Sequence, residues 1–161
     1  MIKSRIPVVV GLVAAAGIFA GYAFLSRDSE GLLQPKNASL VARGEAVYAQ
    51  QCASCHGADL EGQPDWQTRD AEGFMPAPPH DESGHTWHHP DRLLFDITKL
   101  GVAEAANLKG YQTRMPAFGE LMSDEDILAV LSYIKSRWPQ EIQERHDELN
   151  RAFERSKGSA E

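Results

Sequence analysis

The sequence predicts an all-α domain with long loops, preceded by one transmembrane helix. Three observations carry that expectation. An uncharged apolar run opens the chain, apolar residues recur later at helical spacing, and no convincing strand alternation appears. The 161 residues admit one ordinary domain, or a small one with attachments. Hydrophobic residues make up 42% and charged residues 24%, which excludes wholesale disorder.

Residues Ile6 to Leu25 (IPVVVGLVAAAGIFAGYAFL) carry no charge. As a helix they span about 30 Å, the thickness of a bilayer's hydrocarbon core. Lys3 and Arg5 precede them and stay on the cytoplasmic side, so the rest of the chain faces outward. Residues 1–25 therefore read as an N-terminal membrane anchor or a signal peptide. Ala14-Ala15-Ala16 and Gly21-Tyr22-Ala23 offer small residues for cleavage, but the apolar run continues to Leu25. Both readings export the remainder of the chain. The expected location is a bacterial inner (cytoplasmic) membrane, single-pass, with the folded domain on the periplasmic side.

Residues 26–38 read as a linker, about 45 Å long when fully extended. The globular domain is expected over 39–138, and a charged helical tail over 139–161. Formal net charge is −7; beyond residue 27 it becomes −10, from 13 basic and 23 acidic side chains. That excludes nucleic-acid binding through a basic surface and suits docking to a basic patch on a partner.

The first soluble helix is expected from a cap at Ser39 through Gln51, with Leu40, Val47 and Tyr48 as apolar positions. Gly44 shares a face with Tyr48 and costs helix stability, which suggests close approach of another element. Gly57 to His89 is loop-like and proline-rich. Pro90 can open a second helix, with Leu93, Leu94 and Ile97 on one face and Gly101 ending it. Ser123-Asp124-Glu125-Asp126 resembles a capping box, followed by Ile127, Val130, Leu131, Ile134 and Trp138 at helical spacing. Pro139 stops that helix or starts another. Residues 140–157 are highly charged, with Ile142, Leu149 and Phe153 as a thin stripe, and read as a solvated extension.

The two cysteines are too few for a disulfide scaffold or a cysteine-only zinc site. They lie in Cys52-Ala53-Ser54-Cys55-His56. Two thiols at this spacing can bond both vinyl groups of one haem, with the next histidine held at the iron, as in c-type attachment. A redox dithiol needs a βαβ context that is absent, and leaves His56 without a role. A zinc site needs two more ligands.

A second haem ligand is available in Met115, 59 residues beyond His56. Pro116 stiffens its loop, as a weak thioether ligand requires. Met75 also precedes a proline but lies only 19 residues beyond His56, and Met122, beside a helix cap, reads as core.

Gly44, Tyr48, Cys52-Cys55-His56-Gly57, Met115-Pro116 and Leu131-Ser132-Tyr133-Ile134-Lys135 stand in an order that resembles a class I c-type cytochrome. The likeness covers roughly residues 39–138. It implies a cytochrome c-like haem domain with one covalent haem c. Cys52 and Cys55 would attach it, and His56 and Met115 would be the axial iron ligands. It implies that the first and last helices cross near Gly44, Tyr48, Val130 and Tyr133. It further implies that a proline carbonyl accepts a bond from His56, with Pro76, Pro78 and Pro79 as candidates.

With both axial positions filled, the expected function is one-electron transport between membrane-bound donor and acceptor complexes, without enzymatic activity. The lipid bilayer is the other expected partner, through the N-terminal helix. The loop with His80, His85, His88 and His89 departs from a minimal cytochrome. It suggests packing by Trp87, or contact of histidine, Trp87 or Arg92 with a haem propionate. The alternative reading is a haem-based sensor, or a metal-binding module using that loop. A thiol oxidoreductase is a third.

Overall fold

The computed structural model describes residues 31–159, and no strand occurs among them. The helix expected within residues 1–25 lies outside the described residues; among those described, no helix is long and apolar enough to cross a membrane. The helices are α1 (Ala38–Gln51), α2 (Ala53–His56), α3 (Asp91–Leu100), α4 (Val102–Ala105), α5 (Asp124–Ser136) and α6 (Gln140–Gly158). A 3-10 turn covers Thr86–His88 in the long loop before α3.

Helix α1 starts one residue before the expected cap. Asn37, not Ser39, is the N-cap: its Oδ1 accepts from the Leu40 amide at 3.2 Å. Ser39 instead donates its hydroxyl to the same oxygen at 2.9 Å. Asparagine reaches the third helical amide from an extended backbone, so the upstream residue wins. The stretch read as linker joins the fold in its second half. Leu33 is buried, its amide donates to Asp91 at 3.0 Å, and the Gln34 amide donates to Ser132 at 3.0 Å.

Helix α5 is the central element. The Ser123 hydroxyl accepts from the Asp126 amide at 3.1 Å while the Asp126 carboxylate accepts from Ser123, the reciprocal cap expected from sequence. Ile127, Val130, Leu131 and Ile134 enter the core beside Tyr48, Leu94, Phe95, Phe118 and Trp138. Helix α1 crosses α5 at Gly44, where an added Cβ would stand 2.0 Å from the Ala129 carbonyl oxygen. Only glycine permits two helix backbones to approach so closely.

In α3 the buried face is Asp91, Leu94, Phe95 and Thr98, whereas Leu93 and Ile97 are only half-buried. The face is rotated because Asp91 is drawn inward by polar partners. Beside the Leu33 amide, these partners come from α6, which is more than a solvated extension. Asn150 accepts from the Asp91 amide at 2.8 Å and donates to its Oδ1 at 2.9 Å. Asp147 pairs with the buried Lys135 at 2.5 Å. His146, fully buried, donates from Nε2 to the His89 carbonyl at 2.8 Å and packs edge-on to Trp138. The seam is polar, so apolar periodicity does not reveal it.

The buried seam makes stability depend on pH. Burial first, then the Lys135 ammonium, holds His146 below the usual histidine range, against the opposing pull of Asp91, the His89 carbonyl and Asp147. Below about pH 6.5 the unfolded chain takes up a proton that the folded chain refuses. Stability is therefore lost as pH falls from that point towards the folded-state value. Urea midpoints at pH 7.5 and 5.5 should show a smaller drop for His146→Gln than for the parent. Equal drops would remove His146 as a source. His80, His85 and His89, also lowered by burial, contribute the same sign.

Candidate haem site

Cys52 both ends α1 and caps α2. Its carbonyl accepts from the Cys55 amide at 3.1 Å and the His56 amide at 2.9 Å. One helical turn thus presents two thiols three positions apart on one side. Both cysteines are free; Cys52 is half-buried and Cys55 exposed. Burial, then the neighbouring Cys55, pushes the Cys52 thiol up to about 11.

His56 is buried, and its Nδ1 lies 2.8 Å from the Pro78 carbonyl oxygen. A carbonyl only accepts, so Nδ1 carries the proton and Nε2 keeps a free lone pair. Among the three prolines left open by the sequence, Pro78 holds this ring. Burial lowers the affinity of His56 for a second proton, partly offset by that carbonyl.

The loop is shaped to bring Pro78 there. Gly62, at φ +70, donates its amide to the His56 carbonyl at 2.8 Å. A Cβ on it would stand 2.4 Å from the Pro79 nitrogen. Gln63 then pairs with Ala77 in both directions, at 2.9 and 2.8 Å. Leu60 takes the left-handed conformation at φ +68 with its side chain buried, a strain of about 1–2 kcal/mol held by packing. On the other side, Tyr48 donates to the Gly57 carbonyl at 2.9 Å. Burial pushes that phenol up strongly, so it stays a donor.

His80 is a neighbour of His56 that the sequence does not single out. Their rings stack at 4.0 Å with 20° between planes. His80 also meets the Thr86 hydroxyl through Nδ1 at 2.8 Å, and its carbonyl accepts from Trp138 at 2.7 Å. Burial, then His56 and His85, holds it well below the usual histidine range, so it is neutral. No spacing rule distinguishes a stacking histidine from its loop neighbours; only the fold does.

The other loop histidines disperse. His85 stacks on Trp66 at 5.3 Å and lies edge-on to His89, while His88 packs on Trp87 at 3.7 Å. Among the described residues no three His, Cys, Asp or Glu side chains gather to hold a metal ion. Trp87 packs against the core, and Arg92 pairs with Asp96 at 2.9 Å.

Met115 packs, partly buried, against the core, and its amide donates to the Thr113 hydroxyl at 3.0 Å. The next residues, Pro116 and Ala117, are exposed, and Phe118 returns to the core with its amide on the Thr98 carbonyl at 3.0 Å. Met122 is buried in the core, as expected.

These residues fit a c-type haem. Two unpaired thiols stand on one turn, the adjoining imidazole has one nitrogen spent and one free, and a soft thioether lies on a separate loop. The family model described as Cytochrome c matches residues 41–138, more than half of the chain. No curated protein and no solved structure matches it. The chain belongs to the cytochrome c family: it is a c-type cytochrome, a haem-based electron carrier with one covalently bound haem c.

Proposed function

We propose that this cytochrome shuttles single electrons between membrane-associated redox partners on the periplasmic side of a bacterial inner membrane, and is not an enzyme. On this reading Cys52 and Cys55 would attach the haem, and His56 and Met115 would hold its iron. The observation that carries it is the bond from His56 Nδ1 to the Pro78 carbonyl at 2.8 Å. It fixes the tautomer, orients the ring and raises the basicity of Nε2.

The haem, when bound, supplies a one-electron couple. The chain's own residues do the rest. His56 is held from behind by Pro78 and from the side by His80, so the ring keeps one orientation. Met115 would occupy the position that an exogenous ligand needs, and its soft thioether would favour the reduced iron. A formal charge of −10 beyond residue 27 supports steering to a basic partner, and contacts of this kind are small and transient. The uncharged run at residues 6–25 supports anchoring or export.

The test is carbon monoxide binding with the absorption spectrum. The reduced parent should leave carbon monoxide unbound, and the oxidised parent should show the weak far-red band of methionine–iron ligation. Met115→Ala should lose the band and bind carbon monoxide. A parent that binds it readily and lacks the band would support the sensor instead.

A further inference from the structure

We propose that Arg114, with Asp70, Glu72 and Phe74, forms a clamp that holds the Met115 loop and sets how readily Met115 yields its axial place. This rests on the reading of Met115 as a ligand. The Arg114 guanidinium donates to Asp70 and, at 2.5 Å, to Glu72, and its carbon lies 4.1 Å from the centroid of the Phe74 ring. These partners are forty or more positions away in sequence, so the clamp joins two loops that α3 and α4 separate.

The receiving loop is shaped beforehand. Asp70 Oδ1 accepts from the Phe74 amide at 2.9 Å and the Glu72 amide at 3.0 Å, which leaves Oδ2 for Arg114. The Asp70 carbonyl accepts from the Gly73 amide at 3.0 Å. Arg69 donates to the Gly73 carbonyl at 2.6 Å and lies over the Tyr111 ring at 5.8 Å, a second link between the same loops. The Arg114 bond, foremost, holds the Asp70 carboxyl below the usual carboxylate range.

The Met115 loop needs such a link. Among the described residues, the backbone of residues 112–117 makes no hydrogen bond to another backbone group. The Arg114 side chain is thus its principal polar tie to another loop. The far side of the clamp leads through Phe74, Met75 and Pro76 to Pro78, which holds His56. Prolines at 76, 78 and 79 and the Gln63–Ala77 pair stiffen this strap. One short segment therefore supports the proximal histidine at one end and the methionine loop at the other. The planar fork of arginine grips two carboxylates and stacks on a ring at once, which lysine cannot do.

The experiment uses the haem-loaded ferric protein and imidazole as a competing ligand, followed by loss of the far-red band. Arg114→Gln should raise the apparent imidazole affinity about three- to tenfold, the range for an exposed ion-pair cluster on a ring. The double variant Asp70→Asn/Glu72→Gln should match it, and Arg114→Lys should lie between Arg114→Gln and the parent. Arg43→Gln removes an equally exposed cation paired with Glu125 and Asp126, and should leave the affinity unchanged. Unchanged affinity in Arg114→Gln, or an equal rise in Arg43→Gln, would overturn the clamp. A far-red band that survives in Met115→Ala would overturn the ligand reading, and with it the object of the clamp.

Discussion

Gly44→Ala is expected to destabilise the folded protein by about 2–3 kcal/mol, despite alanine's better helix propensity of about 1 kcal/mol. The new methyl would meet the Ala129 carbonyl oxygen at 2.0 Å, its carbon at 2.5 Å and the Tyr133 Cβ at 2.8 Å. Two of these atoms are helix backbone and cannot rotate aside. Relief requires α1 and α5 to separate, which loosens Tyr48, Val130 and Tyr133 together. Tyr48 is the critical one, because its hydroxyl holds the Gly57 carbonyl just after the haem motif. For a domain of this size the loss corresponds to a fall of about 10 °C in the thermal midpoint. Circular dichroism melts would show it, with Gly158→Ala as the control, where an added Cβ meets nothing within 4 Å. A Gly44→Ala midpoint equal to that of the parent would mean that the helices do not cross at this distance.

Asp91→Ala should cost about 2–4 kcal/mol, by stranding buried polar partners rather than by crowding. Asp91 is only 3% exposed. Its two oxygens accept from the Leu33 amide at 3.0 Å and Asn150 Nδ2 at 2.9 Å, and His146 Nε2 lies 3.5 Å away. Alanine leaves the first two donors without a partner and takes a favourable charge from beside His146. The damage should be local first. Amide exchange in α6 and around Leu33 should speed up before that of α1 and α5, because these two segments meet through Asp91. Asp91→Asn should be milder, since one amide oxygen can still accept one of the two bonds. A loss below about 0.5 kcal/mol in Asp91→Ala would show that water enters and satisfies the stranded groups.

Gly44, the Ser123 cap and the Cys52–His56 turn were legible in the sequence because each is a local pattern with one physical explanation. A glycine inside a helix, a serine three positions before an acid, and two thiols beside an imidazole each constrain their own neighbourhood. Met115 stands out in the sequence because a proline follows it, and the structure places it, partly buried, on a loop separate from that of His56. What escaped was non-local and polar. His146, Asn150 and Lys135 look like surface residues of charged helices, and only the docking of α6 buries His146 and Lys135 and brings the half-buried Asn150 onto Asp91. Likewise, nothing in the spacing of four histidines says which stacks on His56, or that Arg114 reaches back to Asp70. Asn37 prevailed over Ser39 by two positions, a margin set by backbone angles rather than residue preference.

The seam between α6 and the rest changes where the molecule can be cut. The family pattern ends at residue 138, yet buried polar contacts continue past it into α6. A fragment stopping at Trp138 would bare that indole, deprive the Lys135 ammonium of its carboxylate, and leave Asp91 without Asn150. Recombinant boundaries drawn from the family alone would thus cut through these contacts. Proteolysis between α5 and α6 would do the same, and a protease arriving there would begin unfolding the haem-binding part rather than trim an appendage.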